Sequence, residues 1–278
     1  MYDFDLIRVD NDGGVIGAVI DNPPINLITR ELYRELRLFA AEVAVDPDAR
    51  VVVLRSANPD FFLAHFDVTL ILGFPVVGPA KRSIELSGFH ALCETFRTMP
   101  KPTICEIAGR VGGGGGELAA SCDMRFGAIG RTTLCQMEVP LGILPGGTGT
   151  QRLPALIGRG RAMEVVLGGD DIDAATLERW GWLNRALAEA DLATFVDRLA
   201  KRLAGFSPGA IALAKAAVLA AAPDPTPGLL EEAYLFDQSL RLEDTAGRMR
   251  RFLDLGGQTV EGERRVGELG GAITPQSS

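Results

Sequence analysis

Two glutamates, each next to a run of glycines, are the residues in this sequence best suited to chemistry. Glu117 directly follows the five glycines at 112–116, and Glu138 lies 21 residues further along, before a second glycine-rich turn. Two neighbouring carboxyl groups can divide acid and base work, because one can hold a proton that the other lacks. The pattern therefore predicts proton transfer on one small substrate.

The glycine run itself allows several interpretations. A strand, a glycine loop and a helix in that order can bind an anion, because the first N–H groups of a helix are unpaired. A phosphate-binding P-loop would need a lysine where Glu117 stands. A dinucleotide fingerprint can be threaded through any five glycines, and an acid there would repel a pyrophosphate. Two interpretations remain open: an oxyanion hole beside a catalytic carboxylate, or a close-packed loop with Glu117 in the first helical turn.

Alternating strands and helices must position these glutamates. Two β-branched runs around Asn11–Gly14 predict a β-hairpin. Helical apolar spacing follows over 29–46, and buried strands are predicted at 50–57 and 103–109, the second ending where the glycine run starts. From 153 to about 255 the pattern is mostly helical. The order predicts an α/β core with a helical C-terminal region.

Composition narrows the class of protein. The chain has 278 residues, of which 47% are hydrophobic and 23% charged, as in a globular protein with a large core. A net charge of −8 argues against a general nucleic-acid binder. The four cysteines and two histidines show no metal-ligand spacing, so we expect no metal and reduced, buried thiols. The N-terminal stretch has no long apolar run, so we expect no membrane segment and a cytoplasmic location.

Four motifs in a fixed order resemble those of the crotonase superfamily, typified by enoyl-CoA hydratase and enoyl-CoA isomerase. The resemblance runs from about residue 5 to 255. It rests on these stretches: "NPPINLIT" at 22–29, "FFLAHFDV" at 61–68, "AGRVGGGGGELAASCDM" at 108–124 and "EVPLGILPGGTGTQRLP" at 138–154. Four ordered motifs are a far more specific signal than the glycine run alone.

The resemblance implies a ClpP/crotonase-like spiral of ββα units. The core with the acyl-CoA site would span 1–200, a helical trimerisation region 201–255, and a flexible tail 256–278. The resemblance also implies a homotrimer or a dimer of trimers. It implies an acyl-CoA thioester as substrate, with no separate cofactor, because coenzyme A enters as part of that substrate.

The resemblance also assigns roles to particular residues. The backbone N–H groups of Phe66 and Gly114 would hold the thioester oxygen as it becomes an enolate, while Glu117 and Glu138 orient a water. The implied reaction is hydration of a trans-2-enoyl-CoA to a 3-hydroxyacyl-CoA. An enoyl-CoA double-bond isomerase with Glu138 shuttling a proton, or a non-catalytic homologue that binds acyl-CoA or a protein, are the alternatives. Further substrate-binding positions are predicted at Ala64, His65, Asp67, Gly113, Gly115, Pro145 and Gly146.

Some positions depart from the family pattern. His65 replaces the usual glycine before the first oxyanion donor, and Phe66 replaces a small residue. The backbone N–H is all that position must supply, so His65 is interpreted as a packed loop residue rather than a proton carrier. Gly146 stands where dienoyl-CoA isomerases carry an acid and near the nucleophilic aspartate of aryl-CoA dehalogenases, which disfavours both. His90 is predicted to pack in the core.

Overall fold

The strands of the chain form two mixed sheets. A computed structural model describes residues 2–273, with six strands in one sheet and four in the other. The six-stranded sheet has the order β1 (Ile7–Asp12), β2 (Val15–Ile20), β3 (Val51–Ser56), β5 (Thr103–Ile107), β7 (Met124–Ala128), β10 (Arg185–Leu187). The four-stranded sheet has the order β4 (Phe61–Leu63), β6 (Arg110–Gly112), β8 (Thr133–Cys135), β9 (Ile172–Asp173).

From β3 to β8, consecutive strands alternate between the two sheets, and this makes the chain a spiral. The pairs β3 and β4, β5 and β6, and β7 and β8 each place one strand in each sheet. Within each sheet these strands run parallel, whereas β1 with β2 and β8 with β9 are antiparallel. The predicted α/β spiral of ββα units is confirmed.

Thirteen helices are formed within residues 2–273. They are α1 (Arg30–Val45), α2 (Val68–Leu72), α3 (Gly88–Thr98), α4 (Gly113–Ser121), α5 (Gly149–Ile157), α6 (Arg159–Gly168), α7 (Ala174–Trp180), α8 (Glu189–Ala204), α9 (Pro208–Leu219), α10 (Thr226–Ser239), α11 (Thr245–Asp254), α12 (Val260–Glu263) and α13 (Val266–Ile273). A single 3-10 turn follows β8 at Val139–Leu141. The helical C-terminal region expected from the sequence is therefore present.

The predicted N-terminal elements form for local reasons. Gly13 and Gly14 have φ of 62° and 92°, which glycine adopts without strain, so β1 turns directly into β2. Helix α1 begins where the Thr29 hydroxyl caps the N–H of Leu32 at 3.3 Å. Its buried face includes Phe39, which is fully buried in the main core.

Helices α8 and α9 mark the change from core to C-terminal region. Leu192 and Val196 of α8 pack on the first sheet, so a boundary at residue 200 would fall inside a helix that belongs to the core. Within residues 2–273 no single helix is long and apolar enough to cross a bilayer. The pair α8 and α9 passes such a test by length and composition, but it is bent by 110°.

The C-terminal stretch differs from the flexible tail predicted from residue 256. The chain forms α12 and α13 here, and Val266, Leu269 and Ile273 are buried in a second core cluster. These three residues recur at intervals of three and four, so one face of α13 is apolar and finds a partner. The part of the predicted tail at 274–278 lies outside the described residues.

Candidate active site

Three parallel strand ends bring the predicted site together. Strands β4, β6 and β8 are neighbours in the second sheet and point the same way. The chain leaves β4 as the loop 64–67, leaves β6 directly into α4, and leaves β8 toward Glu138. Residues more than 70 positions apart in sequence therefore meet at one edge of the sheet.

The five glycines are needed because α4 packs very closely against this edge. A Cβ on Gly115 would lie 2.5 Å from the carbonyl oxygen of Leu63. A Cβ on Gly113, whose φ is +42°, would lie 2.8 Å from both the Cβ of His65 and Oε1 of Glu138. Helix α4 begins at Gly113, inside the glycine run, and has no acid in its first turn. The interpretation of Glu117 as a first-turn helix acid is therefore wrong, while the close packing is real.

The two predicted oxyanion donors are neighbours. The position of a Cβ on Gly114 lies 3.5 Å from the backbone nitrogen of Phe66. The N–H of Gly114 is in the first turn of α4, where no acceptor exists within the helix. The carbonyl of His65 accepts from the N–H of Ile28 at 2.8 Å, so the trans peptide turns the N–H of Phe66 the opposite way. Among residues 2–273, the N–H of Phe66 has no hydrogen-bond acceptor.

Glu117 is held by the start of α5. Its Oε1 accepts hydrogen bonds from the N–H groups of Gly147 at 2.8 Å and Gly149 at 2.7 Å. The residue between them, Thr148, has φ of 132°, a conformation that costs a non-glycine residue about 1–3 kcal/mol. Burial, followed by the charges of Glu138 and Glu232, raises the pKa of Glu117 well above its usual range.

Glu138 is buried with one oxygen free. It lies just before the 3-10 turn and is 9% exposed, and within residues 2–273 its Oε2 has no hydrogen-bond partner. Burial raises the pKa of Glu138 to about 7, with a smaller lowering contribution from His65. The carboxyl group is thus poised to exchange a proton near neutral pH.

A third carboxylate, Glu232 of α10, lies near the pair and was missed in the sequence. Its Oε1 is 2.9 Å from Nε2 of His90, and its Oε2 accepts from the N–H of Thr150 at 3.0 Å. Glu232 is 1% exposed, and its charge raises the pKa of both Glu117 and Glu138. His90 is fully buried, as predicted, but it also anchors this carboxylate.

The His65 side chain is buried between Glu263 and the ring of Phe252. It is 3% exposed, with Nδ1 2.8 Å from the carbonyl oxygen of Phe66 and Nε2 3.1 Å from Oε1 of Glu263 in α12. The sequence offered no signal for Glu263 or Glu232, since each lies in a helical stretch beside another glutamate that is more exposed. Only the folded chain distinguishes the buried member.

The other predicted binding residues take structural positions around the site. Asp67 caps α2 by accepting from the N–H of Thr69 at 2.8 Å. Ala64 is buried beneath the loop. Pro145 packs on Gly149, and a Cβ on Gly146 would lie 2.5 Å from the Phe236 ring. A side chain at position 146 would collide with this ring. Gly146 therefore suits this position, where dienoyl-CoA isomerases and aryl-CoA dehalogenases would carry an acid.

Three aromatic rings pack around the side chain of Phe66, the residue that carries the first predicted donor. The Phe66 ring lies 6.0 Å from that of Phe89, 6.1 Å from that of Tyr33 and 6.4 Å from that of Phe74. Phe89 also contacts the glycine loops, since a Cβ on Gly114 would be 3.3 Å from its Cζ. An apolar group bound at the donors would therefore meet aromatic surface.

The spiral fold and this grouping of glycine loops and glutamates define an α/β protein of the crotonase type. The sequence model of the Enoyl-CoA hydratase/isomerase family matches residues 10–254, and the chain belongs to this family. The resemblance seen in the sequence is thereby confirmed.

Individual relatives agree with this assignment. A Mycobacterium bovis protein named probable enoyl-CoA hydratase is 31% identical over 254 residues, which cover 90% of this chain and 96% of that protein. The short-chain-enoyl-CoA hydratase of Clostridium acetobutylicum is 27% identical over 89% of this chain and 94% of its own. The crystal structure of a Streptomyces avermitilis protein, provisionally named enoyl-CoA hydratase, superposes with a TM-score of 0.89 at 36% identity, covering 99% of this chain and 100% of that one.

Proposed function

We propose that this chain hydrates a trans-2-enoyl-CoA to a 3-hydroxyacyl-CoA. One observation carries the proposal: two buried glutamates, Glu117 and Glu138, lie beside two unpaired backbone N–H groups. The names of the relatives support an acyl-CoA thioester as the substrate.

The thioester oxygen would bind between the N–H groups of Phe66 and Gly114. When water attacks the β-carbon, negative charge moves onto this oxygen as an enolate forms. Donors fixed in place before the reaction stabilise that charge without reorganising, and each is typically worth about 3 kcal/mol of barrier. The close packing of α4 against β4 holds the two donors together.

The glutamate pair would handle the protons. One ionised carboxylate accepts a proton from the attacking water as its oxygen bonds to the β-carbon, and the protonated partner gives its proton to the α-carbon. The double bond is consumed, one water is added, and the pair keeps a single proton throughout. Since burial raises the pKa of both glutamates and the charge of Glu138 raises that of Glu117 further, a shared proton near neutral pH fits their environment.

Double-bond isomerisation is the second candidate, favoured by one feature of Glu138. Its unpartnered Oε2 could remove and return a substrate proton without water, while Glu117 stays bound to the α5 N–H groups. An isomerase would need Glu138 alone as its proton carrier.

The test follows the absorbance of the conjugated enoyl thioester. The wild type should consume a trans-2-enoyl-CoA, and Glu117→Gln and Glu138→Gln should each lower the rate by about 10²–10⁴-fold. Glu164→Gln, on the exposed face of α6, is the control and should keep full activity. Turnover of a 3-enoyl-CoA with loss in Glu138→Gln alone would favour the isomerase. Saturable binding of an acyl-CoA without either reaction would favour the non-catalytic homologue.

We further propose that the chain assembles as a homotrimer or a dimer of trimers through its C-terminal helices. Helix α9 is mostly apolar, yet none of its residues is buried within the described chain. Leu213 and Val218 are 75% and 74% exposed. Lys215 ties one side of α9 to Asp123 at 2.8 Å, whereas Leu213 and Val218 stay exposed within residues 2–273. Such an exposed apolar face is suited to contact another copy.

A further inference from the structure

Both ring nitrogens of His65, in the oxyanion loop, lie within hydrogen-bond distance of an oxygen. Its Nδ1 lies 2.8 Å from the carbonyl oxygen of Phe66, which can only accept, so this nitrogen must carry hydrogen. Its Nε2 lies 3.1 Å from Oε1 of Glu263. The same Glu263 oxygen accepts from the N–H of Gln258 at 2.8 Å, so it already acts as an acceptor and can accept from a protonated Nε2 as well. The arrangement fits an imidazolium paired with a carboxylate.

His65 is next to Glu138, one of the two glutamates proposed to be catalytic. A single position, that of a Cβ on Gly113, lies 2.8 Å from both the Cβ of His65 and Oε1 of Glu138. Three buried carboxylates crowd the site, because Glu232 lies close by as well. A nearby positive charge is what allows such a group to keep a negative charge.

The histidine also fixes the peptide that carries the first oxyanion donor. The carbonyl before the Phe66 N–H is held by Ile28, and the carbonyl after it is held by Nδ1 of His65. The C-terminal segment secures the same loop, since Gln258 accepts from the N–H of Val68 at 2.7 Å. The direction of the Phe66 N–H is therefore set from both sides.

We propose that His65 is a positioning residue, an imidazolium held by Glu263 that fixes the Phe66 donor and supplies the positive charge facing Glu138. The catalytic consequence rests on the proposed function, whereas the charge on His65 does not. Through Glu263, the C-terminal helix α12 becomes part of the active-site support.

The charged surroundings of His65 agree with this assignment. Burial alone would lower the pKa of His65, but Glu263, the carbonyl of Phe66 and Glu138 together outweigh burial and the pKa is raised. Burial alone would raise the pKa of Glu263, but His65, Gln258 and Arg110 of β6 outweigh it and the pKa is lowered. Strand β8 contributes Cys135, whose pKa burial raises, so that thiol is uncharged.

The first experiment reads the protonation of His65 directly and needs no substrate. The chain has two histidines, so ¹⁵N-histidine labelling gives two imidazole sets, and His65→Gln identifies the set to be followed. At about pH 8, well above the usual histidine pKa of ~6.5, both nitrogens of His65 should still be protonated in the wild type. In Glu263→Gln they should not. A neutral His65 in the wild type at this pH overturns the proposal, whatever the activity.

The second experiment compares pH profiles of kcat/KM. His65→Gln and Glu263→Gln remove the cation or its counter-charge, so the acidic limb should move to higher pH by about one unit, a ten-fold loss on that limb. Arg264→Gln is the control. Arg264 follows Glu263 in the chain and pairs with Asp60, so this variant breaks a nearby ion pair without removing a partner of His65. Glu263→Asp should restore part of the profile. If both variants fold correctly and their acidic limbs of kcat/KM stay at the wild-type pH, the positioning role is overturned. If the wild type itself is inactive, that result counts against the proposed function and not against the charge on His65.

Discussion

Glu138 combines deep burial with an oxygen that has no partner within residues 2–273, and such a group is costly to ionise. Groups with strongly shifted pKa values cluster at functional sites, so these features support the proposed catalytic role of Glu138. Its neighbour Glu117 differs, because two backbone N–H groups already occupy one of its oxygens.

The pKa of Glu138 predicts where activity falls with pH. Since that pKa is about 7, the glutamate pair gains its second proton as the pH drops through the neutral range. No base is then left to accept a proton from water, so kcat/KM should decline below about pH 7. The measurement is kcat/KM as a function of pH, in a series of buffers of constant ionic strength. A profile that stays level down to about pH 5, near the usual glutamate range, would contradict this assignment.

The same shift predicts that Glu138→Gln stabilises the fold. The folded pKa of about 7 lies above the ordinary 4.5, so ionised Glu138 destabilises the native state, increasingly from pH 4.5 to 7 and constantly above. The neutral amide avoids this cost, and the free energy of unfolding at about pH 8 should rise by about 1–3 kcal/mol. Denaturant unfolding of both proteins at about pH 8 and pH 4 measures it. If Glu138→Gln has a lower free energy of unfolding than the wild type at about pH 8, the cost assigned to the ionised Glu138 is contradicted.

At the scale of elements, the packing of α4 against β4 does the positioning. The glycines of α4 add no side chain of their own on the face toward the strand, and this brings the N–H of Gly114 beside that of Phe66. A shift of even a fraction of an ångström would separate two groups that must bind one oxygen. The five-glycine run is thus explained jointly by close packing and by the donor it presents.

Gly115→Ala tests this packing. The added Cβ would stand 2.5 Å from the Leu63 carbonyl, a backbone atom that cannot rotate away, so α4 must move off β4. We expect a loss of about 1–3 kcal/mol in the free energy of unfolding and a loss of activity of about 10²-fold. Gly160→Ala in α6 is the control, since its Cβ meets nothing within 4 Å and helix propensity should gain about 1 kcal/mol. Equal behaviour of the two variants would disprove the packing argument.

At the scale of the whole molecule, the sequence predicted what depends on local pattern and ordered motifs. The hairpin at Asn11–Gly14, the alternating strands and the helical second half all follow from spacing. The buried glutamates that contact the two histidines could not be predicted from spacing. Glu263 meets His65 across 198 positions, and Glu232 meets His90 across 142, so only the tertiary fold determines which glutamates are buried. The apolar spacing of α13 was present in the sequence but lay among glycines and charges.

The exposed face of α9 gives the last prediction. We expect the wild type to sediment as a trimer or a hexamer, with Leu213 buried at the contact between copies. Leu213→Glu would place a charge in that contact. Removing this charge from water costs free energy, so association should weaken and the measured mass should fall toward that of the monomer. Val45→Glu is the control, because Val45 is equally apolar and 80% exposed but lies at the end of α1. Sedimentation equilibrium separates the cases: if Leu213→Glu keeps the wild-type mass, or the wild type is itself monomeric, α9 is not the assembly surface.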